Sequence, residues 1–90
     1  MLTVTEAAKQ KLKTTLLAHT RDYETGLRLK VKSPGNIGLV LDKPSPSDTV
    51  IEYEGLKVLL IGDELSKLFS EATLDLHKHG DTKKFTIYQS

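Results

Sequence analysis

The sequence predicts a single α+β domain with mixed or antiparallel sheet, on three observations. Apolar residues recur every four positions near the start, the period then switches to two, and short alternating runs between turn residues fill the remainder. Ninety residues suffice for one hydrophobic core, over 1–90, and no repeat or composition break marks a second domain.

Each element follows from local chemistry. Thr3 and Glu6 have capping-box spacing, and Thr5 is an equally good N-cap. Beyond them Ala8, Leu12 and Leu16 line one face, with Lys9, Lys11 and Lys13 on others, which predicts a long amphipathic helix from about Thr5 to Ala18. From Gly26 onward Leu27, Leu29 and Val31 alternate with Arg28, Lys30 and Lys32, the pattern of a half-buried strand with a basic, solvated outer face. Leu39 to Leu41 is a short second strand, and Asp42 to Asp48 is a Pro/Ser/Asp turn cluster. A hairpin comes next: Thr49 to Tyr53, a Glu54-Gly55 turn, and Leu56 to Ile61. Asp63 is placed to cap a short helix that buries Leu65, Leu68 and Phe69. The strands "ATLDLHK" and "KKFTIYQ", around a Gly80-Asp81 turn, bring the count to about six.

Composition narrows the chemistry. With no cysteine there is no disulfide, thiolate metal site or cysteine nucleophile. Thirteen basic against twelve acidic residues leave a net charge of +1, and only five aromatics are present, so neither nucleic acid nor an anionic membrane is an expected partner. The longest apolar run, Val58 to Ile61, is far too short to span a bilayer, and the N-terminus has no signal-peptide core. A cytoplasmic protein is expected. The serines lack a nucleophile-elbow context and the glycines lack a following Gly-Lys-Ser/Thr, so an enzyme is not expected.

Several separated segments, in order, resemble one family. "LTVTEAAKQKL" is similar to its opening, "GLRLKVKSPGNIGLVL" to its most recognisable stretch, and "DTVIEYEGLKVLL" to its central hairpin. "DELSKLFSEATLDL" is similar to its helix and the strand after it, and "FTIYQ" to its phenylalanine-led last strand. The family is the HesB-like group, the A-type iron–sulfur cluster carriers and scaffolds. The resemblance implies its fold, a dimer, and a setting in iron–sulfur assembly or a related sulfur or redox pathway. It also implies a cluster cysteine where Asn36 stands, between Gly35 and Ile37-Gly38, and a Cys-Gly-Cys beyond the last strand, where this sequence reaches Ser90.

Cluster irons are held by soft, deprotonated thiolates, and a neutral amide oxygen is no substitute. An iron–sulfur cluster is therefore not expected. The loop reads either as a plain turn or as a former ligand turn kept for its backbone geometry, with Asn36 at ease in left-handed conformations. The candidate interaction surface is Pro34, Gly35, Asn36, Ile37 and Gly38 with the basic strand face at Arg28 and Lys30, and its expected partners are proteins. One alternative is weak iron binding. If Leu74 and Leu76 face the core, Asp75, His77 and His79 share the opposite face, and two histidines with a carboxylate form a recognised ligand set. A domain with no pathway link is the third reading, since function belongs to sites rather than folds.

Overall fold

Two sheets enclose one long helix in the computed structural model, which describes residues 1–33 and 36–89. The order is β1 (Thr3–Val4), α1 (Glu6–His19), β2 (Gly26–Ser33), β3 (Asn36–Asp42), β4 (Thr49–Tyr53), β5 (Leu56–Ile61), α2 (Asp63–Leu68), β6 (Ala72–His79) and β7 (Thr82–Gln89). One sheet runs β1-β6-β7 and the other β3-β2-β5-β4. The β1–β6 and β2–β5 pairs are parallel and the others antiparallel, so the sheets are mixed.

Thr5, not Thr3, caps α1: its hydroxyl accepts the Ala8 N–H at 3.2 Å. Thr3 instead belongs to a seventh strand, which pairs Thr3 with Thr73 and Val4 with Leu74. Two residues are too short to display a period of two, so the sequence pattern did not reveal β1. The Thr5 hydroxyl also donates to Asp75 Oδ1 at 2.7 Å, fastening the start of α1 to β6.

The α1 stripe of Ala8, Leu12 and Leu16 is almost wholly buried, against Leu27, Leu29, Ile51, Val58, Leu59, Ile61 and Leu74 among others. Each leucine contributes about 1.5–3 kcal/mol by leaving water. Emptying the Leu12 site with alanine costs about 3 kcal/mol, because the cavity adds to the lost transfer energy. No polar or charged residue is buried as a whole among those described, although the side chains of Arg28 and Asp48 are largely withdrawn from solvent.

Two turns work by positive φ. Glu54 (51°) and Gly55 (81°) reverse the chain between β4 and β5, and Gly80 (62°) does so between β6 and β7. Further along, the cap of α2 is Gly62, not Asp63. Asp63 is the first helical residue and, with Glu64, offers negative charge to the helix start. Leu65 and Phe69 pack against the core, but Leu68 remains 64% exposed because the six-residue helix turns it outward. Val31, expected on the core face with Leu27 and Leu29, is 43% exposed because β2 runs past the end of the core there.

Candidate functional site

The β2–β3 hairpin carries the stretch on which the candidate surface was placed. Its ladder runs from Gly26 opposite Asp42 to Ser33 opposite Asn36, with a register shift that leaves Lys32 without a cross-strand partner. Pro34 and Gly35 lie outside the described residues. Asn36 is exposed at the first position of β3, and Ile37 and Gly38 are half-buried. Asn36 is not among the residues with positive φ, so its expected left-handed role gives way to ordinary strand pairing.

At Gly38 the space beside the backbone is taken by a flexible side chain. A Cβ there would come within 2.5 Å of Lys32 Cε, because the Lys32 stem lies across the hairpin at that point. Next to it, Ile37 helps line an apolar crevice of about 110 Å³ with Val31, Phe69, Phe85 and Ile87, where the sheets meet. Lys30, opposite Gly38, and Lys32 are both exposed. The hairpin end thus joins a neutral amide, two cations and an apolar crevice. That combination offers no soft donor for iron but can contact another protein.

Arg28 departs from the expected solvated basic face. Its Nε donates to Asp42 Oδ2 at 2.7 Å, its Nη1 to Asp48 Oδ1 at 2.9 Å, and its Nη2 to Asp48 Oδ2 at 2.6 Å and the Lys43 carbonyl at 3.2 Å. The side chains of Arg28 and Asp48 are only 11% and 2% exposed. The guanidinium hydrogen bond holds the Asp48 carboxyl below its ordinary range, outweighing the burial that pushes it up. Arg28 is therefore a clamp on the β3–β4 connection. It stands five residues from Ser33, roughly 16 Å along the strand, with its charge already answered.

The three alternative ligands share one face of β6, and only two of them meet. Asp75 Oδ2 lies 3.3 Å from His77 Nε2. Asp75 Oδ1 is engaged by the Thr5 hydroxyl and by the Leu76 N–H, each at 2.7 Å, and these bonds, Thr5 first, lower its pKa. His77 also stands beside Tyr88, with ring centroids 6.2 Å apart. His79 is exposed and pairs across the ladder with Thr82. Among the described residues no three His, Asp or Glu side chains converge into a metal cage. The Thr5–Asp75 bond, which spans seventy residues, left no local trace in the sequence.

The architecture matches solved structures closely. Escherichia coli SufA, involved in biosynthesis of iron–sulfur clusters, superimposes with a TM-score of 0.71 at 25% identity, over 98% of this chain and 84% of that one. IscA with a [2Fe-2S] cluster superimposes with a TM-score of 0.65 at 19% identity, over 99% of this chain and 85% of that one, a likeness of fold alone. No protein-family model and no curated sequence matches the chain. No helix among the described residues is long and apolar enough to cross a membrane. The fold is that of the A-type iron–sulfur carriers, and the sequence that adopts it has no cysteine.

Proposed function

We propose that this chain, an A-type carrier fold without thiols, is a non-enzymatic interaction or accessory module in iron–sulfur or sulfur metabolism and carries no cluster. One observation bears most of the weight: the β2–β3 hairpin is retained while its would-be ligand is the exposed amide of Asn36. The chain's donor set does not fit an iron–sulfur cluster, since hard oxygen and scattered imidazole donors cannot replace several thiolates. What remains at the hairpin end is contact chemistry: Asn36, Ile37 and Gly38 with Lys30 beside them. The module works in the cytoplasm, binds protein rather than nucleic acid or membrane, and pairs as a homodimer.

Affinity capture from host lysate tests the surface, using wild type and an Asn36→Arg, Ile37→Glu double variant as baits. Partners captured by wild type should disappear from the variant, and identical partner sets would reject this surface. Anaerobic incubation with ferrous iron and sulfide tests the chemistry. A brown chromophore retained through desalting, with iron and sulfide in matched amounts, would overturn the cluster-free reading.

The 3.3 Å approach of Asp75 to His77 favours a second reading, weak iron handling through Asp75, His77 and His79. It requires ferrous iron to bind wild type and not a His77→Ala, His79→Ala variant. Equal binding by both proteins would eliminate these ligands.

A further inference from the structure

A cleft of about 530 Å³ opens between the last turn of α1 and the start of β5. It lies at the end of the β2–β5 layer opposite the one where Ser33 pairs with Asn36. Leu16 and Leu56, 2% and 8% exposed, are its deepest residues, and Leu17 and Tyr23, 41% and 72% exposed, stand at its mouth. Thr20, Arg21 and Asp22 complete the lining. A mainly apolar concavity of this size with a few polar groups at the rim has the form of a small-molecule site.

The segment over the cleft is tied in place. The Asp22 N–H donates to Thr20 Oγ1 at 3.0 Å, and the Thr25 N–H donates to the Asp22 carbonyl at 3.0 Å. The Asp22 carboxylate accepts the Glu24 N–H at 2.9 Å, the Thr25 hydroxyl at 3.0 Å and Lys43 Nζ at 2.6 Å. Lys43 foremost, then these other bonds, lower the Asp22 pKa to about 2. Asp22 is therefore answered within the fold. Arg21, beside it, has no ion pair or hydrogen bond among the described residues. The one unanswered charge at the rim is positive.

We propose that this cleft binds a small carboxylic acid with an apolar body, its hydrocarbon on Leu16, Leu17, Leu56 and the Tyr23 ring and its carboxylate on Arg21. The guanidinium fork matches a carboxylate in a way that no single point charge does. The competing chemistry is a cationic amphiphile, because α1 ends at the same cleft with its partial negative charge. This site is independent of the proposed interaction surface on the β2–β3 hairpin.

Titration of ¹⁵N-labelled protein with octanoate, octylammonium and octanol tests the proposal. Saturable amide shifts should concentrate at residues 16–23 and Leu56, with octanoate bound about ten-fold tighter than either other probe. The exposed-site variant Arg21→Glu should abolish that preference, and Arg21→Gln should reduce octanoate to the level of octanol. Equal affinity for the three probes, tighter octylammonium, or shifts scattered away from the cleft would each overturn it. So would octanoate binding that survives Arg21→Glu in a protein whose remaining spectrum is unchanged.

Discussion

The β2–β3 and β6–β7 hairpins are near equals in length and opposite in how they treat their cations. In the first, Arg28 finds Asp42 and the buried Asp48, so its charge is absorbed into the fold. In the second, Lys78 stands opposite Lys83, so the ladder sets like against like. Residues 77–84 hold three lysines against one aspartate, a net of +2 with histidines neutral, whereas the whole chain carries +1. A cation in a strand is structural or available according to what the register places across from it. Alternation with leucines does not distinguish the two cases.

The largest effect comes from breaking the first arrangement. Asp48→Ala removes the bidentate partner of Arg28 and should cost about 3 kcal/mol in urea unfolding, the low end for a severed buried pair because Asp42 remains. An unchanged midpoint would reduce the clamp to a surface contact. Its pH dependence has a definite sign. Folded Asp48 titrates below its ordinary 3.8, so its contribution is complete above about pH 4 and is lost as pH falls through the depressed value. The Asp48→Asn variant should therefore show a shallower fall of Tm below pH 4 than wild type.

Two glycines sharpen the picture along the same hairpin. A Cβ at Gly26 meets the Lys57 carbonyl at 2.5 Å and the Leu60 side chain at 3.1 Å, neither able to leave easily. Gly26→Ala should cost about 2 kcal/mol by overpacking. At Gly38 the obstructing atom is the far part of the flexible Lys32 side chain, so Gly38→Ala should change stability by under about 0.5 kcal/mol. Comparable losses in the two variants would mean that Lys32 is held more firmly than its exposure implies.

The smallest effect belongs to the second hairpin. Lys83→Glu converts the pair with Lys78 from repulsion to attraction and should raise Tm slightly at low salt, the gain fading as salt is added. A salt-independent change, or a fall in Tm, would show that the lysines interact with something other than each other.

Most strands and the long helix were legible because period and turn residues are local properties. Leu27 and Leu29 declare a strand face, Ala8, Leu12 and Leu16 a helix face, and Glu54-Gly55 a reversal. The misses are relations between distant segments. Thr3–Val4 becomes a strand only because residues 73–74 lie beside it. Arg28 leaves the basic face because Asp48, twenty positions on, folds back under it. The exposure of Leu68 and the shift of the α2 cap to Gly62 depend on where a single helical turn starts, which a short apolar pattern does not fix. At the candidate site, the residue types of Asn36, Ile37 and Gly38 were readable, while the side chain lying beside Gly38 belongs to Lys32, six positions earlier.

The fastening of Thr5 to residues 74–75 sets a schedule for synthesis. On a ribosome adding about 5–20 residues per second, β1 waits roughly 4–14 s for the strand it must join. Until then the start of α1 lacks its β6 anchor, and part of its apolar stripe stays open to chaperones. The first sheet closes on β1 only after residues 72–79 have emerged.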